Sequence, residues 1–368
     1  MHLDRLSIFD FKNIERADLS FSPNVNCFVG DNGMGKTNVL DAVYYLSFCK
    51  SASNPTDAQN IRHGSPFFLL EGTYADVDGT ALTVSIGVKP GVKKQLKRGG
   101  KPVKRLAEHI GTIPLVLISP SDSLLVSGGS EERRRFLDSA ISQYDTAYLD
   151  ALISYDKALR QRNALLRADE EPDAALLDVL EAMMDSAAAP IYAGRRAFVE
   201  EFVPIFRGLY DRLCNASGEV PDIAYATHAD RGPLLPLLRE GRAKERIVGY
   251  SLHGPHKDDL LFSLNGYPLK REGSQGQAKT YFIALKLAQF LFLKQKGERR
   301  TPLLLLDDIF DKLDDGRVGQ IVEYVSGDAF GQIFITDTHR AHLDQILSHT
   351  RRDYRLFVVE EGDVKPAP

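Results

Sequence analysis

The sequence predicts an α/β protein in which a mixed sheet with flanking helices is interrupted by a helical lobe. Short apolar segments alternate with amphipathic ones at both ends of the chain, whereas the middle third has helical spacing. A glycine-rich loop also follows a short buried strand near the N-terminus. We therefore assign residues 1–130 and 245–368 to the two parts of one α/β domain, and residues 131–244 to the lobe.

Strands and turns dominate the N-terminal part. Apolar alternation predicts two short strands, one with Leu6 and Phe11 and one with Leu19 and Phe21, around a turn at 13–15. Residues 25–29 form a buried strand before the glycine-rich loop, and a helix follows that loop. Segments 67–75 and 82–88 read as a hairpin with a turn at Asp78-Gly79.

Helices fill the middle of the chain, and alternation returns after it. Residues 170–173 separate two long predicted helices, the second of which begins near Asp173. Asn265-Gly266 predicts a hairpin turn between segments 260–264 and 267–269. The following elements are a long helix at 282–291, a strand at 303–306, a helix from about Asp314, and strands at 332–336 and 356–359. This order predicts a largely parallel, buried sheet.

Composition limits the possible functions. The 368 residues are 43% hydrophobic, which predicts a folded core. The chain has 46 basic and 50 acidic residues, so its net charge is slightly negative. Contact with nucleic acid would therefore need a local basic patch. Three scattered cysteines exclude a disulfide framework. Neither a secretory signal nor an apolar run of roughly 18 residues is recognisable, so we expect a cytoplasmic protein outside the membrane.

The glycine-rich loop fits the phosphate-binding pattern G-x-x-x-x-G-K-[ST]. Glycines let the backbone turn tightly while its N–H groups face phosphate oxygens, and the following helix presents its positive N-terminus. We expect Lys36 to reach the β and γ phosphates of ATP and the Thr37 hydroxyl to ligate Mg²⁺. The predicted nucleotide-binding residues are Gly30, Asp31, Asn32, Gly33, Met34, Gly35, Lys36 and Thr37.

Two adjacent aspartates follow the apolar strand Leu303–Leu306. At the carboxyl edge of a phosphate-loop sheet, the first acid lies beside the magnesium ion, so we assign Asp307 to the metal. We assign Asp308 to catalysis, because a second carboxylate there can polarise the attacking water. An apolar strand ending in an acid is a weak signal alone, but it gains weight from the phosphate loop.

The segment Gly273–Gln277 opens a long helix 30 residues before Asp307. One interpretation is an ordinary polar loop in which Ser274 caps the helix. However, Ser274, Gly276 and Gln277 resemble the L-S-G-G-Q signature of ABC-type ATPases. That resemblance implies that they contact the γ-phosphate of an ATP held by a second subunit, and that the α/β part is an ABC-type ATPase head.

Three further positions resemble motifs of the same class. Residues 311–314 stand where those enzymes have the D-loop, which implies a nucleotide contact for Asp314. His339 stands where they have the switch histidine, and we assign it to catalysis. Gln59 is our candidate for the glutamine that senses Mg²⁺ and the γ-phosphate; a plain surface glutamine is the alternative.

Blocks along nearly the whole chain resemble the RecF family, which is SMC-like. The Phe11–Asn13 opening, the Glu131–Asp138 block and the Gly254–Asp259 block are similar to F-R-N, E-x-R-R-x-F-L-D and G-P-H-R-D-D. Ser274 lies 238 positions after Lys36, a larger separation than in a transporter head. The roughly 111 residues from Glu131 to Gly241 are far too few for an SMC coiled coil. The departures from the family pattern are Lys12, Ser121, Ser130 and Asp311-Lys312.

This resemblance implies an ATP-dependent homodimer with slow, DNA-stimulated ATP hydrolysis. It also implies binding at junctions of single- and double-stranded DNA, and partnership with RecR and RecO in loading RecA at gaps. Roles in replication restart and the SOS response follow from the same resemblance. Two alternatives stay open, namely the ATP-hydrolysing subunit of an ABC transporter and a non-hydrolysing ATP-gated clamp.

Basic residues are concentrated in two places. Eight lie between Lys89 and Arg105 without an acid, and Gly99-Gly100 in their midst predicts a hairpin that contacts DNA phosphates. A solvated loop is the alternative. For the run Arg133–Arg135 we favour pairing with Glu131 and Glu132 over DNA contact. The histidines and aspartates of 253–259 lack zinc-ligand spacing, so no zinc site is expected.

Overall fold

A computed structural model describes residues 1–54, 56–76, 79–214, 218–297, 300–309, 330–338 and 353–367, with the single positions 321, 324, 325, 327 and 343. The contacts divide the chain into two compact units. The first unit contains Met1–Asp122 and Ile283–Pro368, and the second contains Ser123–Phe282. The predicted helix from Asp314 lies outside the described residues.

The strands are numbered in chain order. They are β1 (His2–Phe11), β2 (Ile14–Ser20), β3 (Val25–Val29), β4 (Phe68–Ala75), β5 (Ala81–Val88), β6 (Gln95–Arg98), β7 (Lys101–Pro102), β8 (Leu115–Ile118), β9 (Pro221–Ala226), β10 (Asp259–Leu264), β11 (Tyr267–Pro268), β12 (Leu303–Asp307), β13 (Ile333–Asp337), β14 (Tyr354–Glu360) and β15 (Asp363–Pro366). The helices are α1 (Lys36–Phe48), α2 (Leu124–Ser127), α3 (Ser130–Ile141), α4 (Thr146–Arg167), α5 (Ala174–Leu213), α6 (Leu234–Val248), α7 (Leu269–Glu272) and α8 (Gln275–Lys296).

Two sheets build the first unit. One is antiparallel throughout, in the order β2-β1-β4-β5-β6-β7. The other has the order β15-β14-β3-β13-β12-β8, in which only β15 is antiparallel to its neighbour. The second unit has a small antiparallel sheet of order β11-β10-β9. The predicted mixed α/β fold is thus confirmed.

Burial explains why each sheet forms from its sequence. β12 and β13 are buried along their whole length, as their continuous apolar runs predict for central parallel strands. β4 instead alternates, with Phe68 and Leu70 buried and Leu69 exposed, because one face of its sheet meets solvent. Edge-to-face ring contacts join Phe21 to Phe334 and to Phe357 in the core of the first unit.

The predicted hairpins form, with shifted ends; β4 pairs with β5, while Asp78 of their predicted turn lies outside the described residues. β6 and β7 turn at Gly99 and Gly100, and β10 and β11 turn at Asn265 and Gly266, all with positive φ as a tight hairpin turn requires. The first turn is corrected to 12–13, because Ile14 already pairs with Phe11 in β2. Sequence reasoning missed β8, β9 and β15.

The second unit is held together by long helices and buried ion pairs. Asp173 caps α5 by accepting a hydrogen bond from the Ala175 amide, which confirms the predicted break before it. The α4 helix packs on α5. Arg162 is fully buried and pairs with Glu181 at 2.9 Å and Glu245 at 2.6 Å. No helix in the described ranges is both long enough and apolar enough to cross a membrane.

Arg195 connects two of the sequence blocks. Its guanidinium is 2% exposed and pairs with Asp138 at 2.9 Å and Asp258 at 3.0 Å. Arg133 donates to both carboxylate oxygens of Asp259. The Glu131–Asp138 and Gly254–Asp259 blocks therefore form one ion-pair network.

The basic run Arg133–Arg135 is fully engaged within the second unit. Arg135 pairs with Glu131 and Glu132, as expected from the sequence. Arg134 donates to the Asp258 carbonyl at 2.8 Å.

Candidate nucleotide site

The phosphate loop lies at the carboxyl edge of the parallel sheet. β3 ends at Val29, the loop follows, and α1 begins at Lys36. β13 separates β3 from β12, and all three strands are parallel. Their carboxyl ends therefore bring the loop, Thr336 and Asp307 to one edge, which is where open α/β sheets bind ligands.

Glycines shape the loop for two different reasons. Gly33 and Gly35 have φ of 83° and 118°, a region that side chains rarely adopt. Gly30 is required by a close approach instead, because an added Cβ would lie 2.2 Å from the Val359 carbonyl oxygen. At Gly35 a Cβ would also lie 2.8 Å from the amide oxygen of Asn13.

Two asparagines hold the loop from outside. The Asn13 side-chain amide donates to the Met34 carbonyl at 3.0 Å, and Asn38 donates to the Asn13 Oδ1 at 2.7 Å. The Gly362 amide donates to the same Met34 carbonyl at 2.8 Å. Sequence reasoning identified Asn13 only as part of a family block and missed Asn38, although its place directly after the phosphate-loop motif was the available signal.

Lys36 is enclosed by the loop that it terminates. Its side chain is 3% exposed, and Nζ donates to the carbonyls of Gly30 at 2.8 Å and Asp31 at 3.2 Å. The nearest carboxylate oxygen, Oδ2 of Asp308, is 3.9 Å away. The ammonium is thus held mainly by neutral acceptors.

Asp307 contacts two hydroxyl groups. Thr37 and Thr336 each donate to its Oδ1 at 2.9 Å. Burial raises the pKa of Asp307, and the hydrogen bonds from Thr336 and Thr37 only partly oppose this. The predicted pair Thr37 and Asp307 is thus brought together, with oxygen ligands of the type that Mg²⁺ prefers.

Asp308 differs from its neighbour in exposure and backbone. Its side chain is 23% exposed, and its backbone amide donates to the Thr336 hydroxyl at 2.9 Å. Its φ of 44° is left-handed, a strained conformation for a residue other than glycine. Thr336 therefore bonds to both aspartates. Sequence reasoning missed this role, although a hydroxyl residue at the end of the predicted neighbouring strand was the signal.

Gln59 lies in a 3₁₀ turn at Asp57–Asn60. It is exposed and lines a cavity of about 630 Å³ that adjoins the loop. Eight of its nine lining residues are of polar type; the nine are Lys12, Asn13, Asn38, Ser53, Asn54, Gln59, Ile61, Arg62 and His63. The sensing role of Gln59 stays a prediction.

The signature residues belong to the second unit, at the start of α8. Ser274 is exposed; its hydroxyl accepts from the Gln277 amide at 3.2 Å, and the Gln277 side chain accepts from the Ser274 amide at 2.8 Å. This reciprocal pair is a capping box. The capping interpretation of Ser274 is confirmed, while the phosphate role of Ser274, Gly276 and Gln277 stays a prediction. Asp311, Asp314 and His339 lie outside the described residues.

The basic segment 89–105 contains two kinds of cation. Lys94 is part-buried, pairs with Asp57 at 2.9 Å and lies over the Tyr45 ring. Arg98 donates to the Thr112 hydroxyl at 3.0 Å. Five side chains form no hydrogen bond or ion pair with any described residue: Lys89, Lys93, Lys97, Lys101 and Lys104. The first kind is structural, and the second is available to a ligand.

Comparison with known proteins places these features in context. The family model described as RecF/RecN/SMC N terminal domain matches residues 2–364. The chain is 57% identical over 364 residues to the "DNA replication and repair protein RecF" of Phocaeicola vulgatus, covering 99% of this chain and 98% of the relative. It is 55% identical, with the same coverage, to the Bacteroides fragilis protein of that name.

Solved structures give the same result. A structure of the "recombination mediator protein RecF-ATPrS in RecFOR pathway" matches with a TM-score of 0.89 at 27% identity, covering 100% of this chain and 98% of that one. Its RecF-ATP counterpart matches at 0.86 and 27%, covering 100% and 99%. An Smc head bound to a domain of ScpA matches at 0.59 and 14%, covering 100% and 97%, which shows a likeness of fold alone. The expected SMC-like, ABC-type head fold is confirmed.

Proposed function

The chain belongs to the RecF family, and we propose that it binds Mg·ATP at the phosphate-loop edge and hydrolyses it slowly, in a reaction that DNA stimulates. The observation behind this proposal is the joint placement of Lys36, Thr37 and Asp307 at the ends of parallel strands. The similarity to structures titled RecF-ATP and RecF-ATPrS supports the choice of nucleotide.

The donor set fits a magnesium ion. Thr37 and Asp307 offer a hydroxyl and a carboxylate oxygen that already contact each other at 2.9 Å. Burial raises the pKa of Asp307, and a bound cation would favour its ionised form. When bound, the metal supplies charge neutralisation on the phosphates.

Phosphate binding and activation of the attacking water are carried out by different protein groups. The amides at the α1 N-terminus and the Lys36 ammonium bind phosphate oxygens, so Lys36 exchanges the loop carbonyls for the ligand. Asp308 accepts a proton from the attacking water or orients it. Its partly exposed carboxylate supports this role, because water reaches it, while Asp307 is 7% exposed.

The polar cavity beside α1 is suited to the nucleoside. Asn38 directly follows the magnesium-ligand candidate Thr37 and lines the cavity together with Asn13. A nucleotide whose phosphates lie on the loop would extend its ribose and base past these side chains. Its volume of about 630 Å³ and the surrounding amide groups are suitable for a base with hydrogen-bonding edges.

The signature helix is proposed to complete the site of a second copy of the chain. Ser274 is exposed at the N-terminus of the 22-residue α8, where backbone amides favour anions. We assign Ser274, Gly276 and Gln277 to the γ-phosphate in an ATP-dependent homodimer, with Asp314 and His339 assisting by family resemblance. Ser274→Arg should leave ATP binding intact and prevent dimerisation, measured by light scattering with ATP; ATP-dependent dimers of this variant would refute the assignment.

The biological setting follows from the family. Relatives are named DNA replication and repair proteins, and the similar structures are titled recombination mediators of the RecFOR pathway. We propose that this chain acts in the cytoplasm on DNA with single-strand/double-strand junctions, and that it works with RecR and RecO in loading RecA at gaps. Roles in replication restart and the SOS response belong to the same proposal.

The test is ATP turnover by the purified protein with and without gapped DNA, with Lys36→Ala as the inactive control. Turnover that gapped DNA increases supports the proposal. Turnover that is equal with and without gapped DNA favours the ATP-hydrolysing subunit of a transporter. Tight ATP binding without turnover in either condition favours an ATP-gated clamp. Micromolar ATP affinity in Lys36→Ala would overturn the phosphate-loop assignment.

A further inference from the structure

The open face of the antiparallel sheet presents a pair of aromatic rings. Phe9 and Phe67 stack on each other with ring centroids 5.6 Å apart, yet they are 40% and 38% exposed. Leu69 beside them is 42% exposed. Phe68 and Leu70, on the opposite face of β4, are fully buried. The exposed side chains of Phe9, Phe67 and Leu69 therefore lie outside the core. A contiguous exposed apolar group of this kind is typical of a binding surface.

Strand register extends this group into a row. Phe9 pairs with Arg16 on one side and Leu69 on the other, Leu69 pairs with Gly87, and Gly87 pairs with Gln95. The row crosses five strands and therefore spans roughly 19 Å. Gly87, the fourth member, adds no side chain to the row, and the Leu69 side chain lies beside it. The row thus has an aromatic part near one end and polar groups at both ends.

An unpaired cation lies beside the row. Lys97 lies on β6 two residues from Gln95, on the same face. It is one of the five hairpin lysines whose side chains make no hydrogen bond or ion pair within the described residues. The acids on this face are Asp18, which Arg5 pairs, and Glu71. The register puts Ser85 between Glu71 and Lys97, so Lys97 is the unpaired hairpin lysine that this face presents.

We propose that this face is a stacking platform for single-stranded DNA, with unpaired bases on Phe9 and Phe67 and a backbone phosphate on Lys97. It rests on the proposed action at single-strand/double-strand junctions and adds the residues that hold the single-stranded part. Exposed rings with an unpaired lysine on the same face match single strands, whose bases offer free π-faces. The bases of a duplex are already stacked on one another. A protein partner would need acidic side chains at the same spacing, and it is the competing outcome of the test.

The sequence permits a direct spectroscopic test, because the chain has no tryptophan. Phe9→Trp and Phe67→Trp would each introduce a single reporter on the platform. Tyr267→Trp, at a position 65% exposed in the second unit, is the matched control. Each protein is titrated without ATP against a 15-nucleotide oligothymidylate, a duplex of that length, and inorganic polyphosphate.

We expect the single strand to quench both platform tryptophans and to leave the control unchanged. Duplex and polyphosphate should bind the lysines without comparable quenching. Oligothymidylate that binds, as judged by anisotropy, without quenching either platform tryptophan would overturn the proposal. Equal quenching by polyphosphate would also overturn it, since no base is then involved.

An affinity series tests the same point without a reporter. Phe9→Leu and Phe67→Leu keep an apolar side chain but remove the ring, and Phe67→Tyr restores it. Base stacking on a ring corresponds to about a 5- to 150-fold change in affinity. We expect a loss of this size for single strands, none for duplexes, and rescue by the tyrosine. Equal losses for both DNA forms, or no loss for either, would contradict the platform. Because no ATP is present, failure here is distinguishable from failure of the ATPase proposal.

Discussion

Two regions of this molecule hold charged side chains away from water, and they do so differently. At the phosphate-loop edge, Lys36 donates to two backbone carbonyls, and its nearest carboxylate oxygen is 3.9 Å away. In the arginine network of the second unit, Arg195 contacts the carboxylates of Asp138 and Asp258 at 2.9 and 3.0 Å. The first region neutralises its charges incompletely, whereas the second pairs them.

The pKa shifts show the same difference. Burial lowers the pKa of Arg195, but Tyr148 and Asp138 beside it more than compensate, so its net pKa is raised and its charge is secured. Burial raises the pKa of Asp307, and the two threonine hydrogen bonds and the more distant Lys36 ammonium oppose this only in part. A charge that the protein neutralises only in part is available to a ligand, whereas a paired charge stabilises the fold. Substitutions should therefore affect chemistry in the first region and stability in the second.

The largest expected effect is on hydrolysis. Asp308→Asn keeps the size and hydrogen-bonding shape of the side chain but removes the charge that polarises water, so turnover should fall by about 10²–10⁴. ATP affinity and thermal stability should stay unchanged. The mutant should accumulate as an ATP-bound dimer that remains longer on DNA. Steady-state hydrolysis and equilibrium ATP binding provide the measurements.

Asp307→Asn is the control for that division of labour. It removes the metal-side carboxylate, so Mg·ATP binding itself should weaken. A wild-type turnover rate in Asp308→Asn would show that the second aspartate is not the base. If Asp308→Asn lost ATP binding as Asp307→Asn does, the two aspartates would share one role.

The next largest effect is on folding. Arg195→Met leaves Asp258, which is fully buried, without its cation, and removal of one partner from a buried pair costs about 3–5 kcal/mol. The urea midpoint should fall strongly, while ATP affinity of the folded fraction stays normal. Arg196→Met is the matched control, because that side chain is 56% exposed and pairs with Asp230 at 3.4 Å. Exposed pairs contribute about 0–1 kcal/mol. Equal midpoints for the two variants would mean that the network does not stabilise the unit.

A smaller effect separates two lysines of one hairpin. Lys97→Ala should leave stability unchanged and reduce the salt dependence of DNA binding by about 0.9 in the slope of log K against log salt. Lys94→Ala should keep that slope and lower the melting temperature, since Lys94 pairs with Asp57 and covers Tyr45. Identical behaviour of the two variants would show that pairing within the fold does not decide which lysines contact DNA.

The two regions also differ in how far the sequence predicts them. The phosphate loop and the aspartate pair are contiguous motifs, since glycine placement and an apolar strand are local properties, and both lie where expected. The Asn265-Gly266 turn was predictable for the same reason. Contacts between distant residues were not predictable. Thr336 contacts Asp307, which is 29 residues away in the sequence, and Arg195 contacts Asp258, which is 63 residues away.

Single residues of the site show this limit as well. Asn38 bonds to Asn13 across 25 residues because β1 and α1 pack together, which no spacing rule specifies. Ser274 was open to two interpretations, and its side chain caps α8. Sequence reasoning gave eight basic residues in one segment, and only the fold separates Lys94 from Lys97.

The smallest expected effect has opposite signs in the two regions. Because burial raises the folded-state pKa of Asp307, the native state binds its proton more tightly than the unfolded chain does. Stability contributed by this group is therefore lost as pH rises from the unfolded value, about 3.9, through the raised folded value. Asp307→Asn removes that cost, so without ATP at pH 7 it should be slightly more stable than wild type. The gain should vanish below pH 4, where both proteins are uncharged at this position. Thermal melts between pH 4 and 8, with the exposed Asp4→Asn as control, measure this gain in stability.

In the arginine network the removal of a charge destabilises the protein at every pH in that range. If Asp307→Asn were instead less stable at pH 7, the Asp307 carboxylate would be satisfied by its two threonines, and the contrast between an available and a paired charge would fail at its central residue.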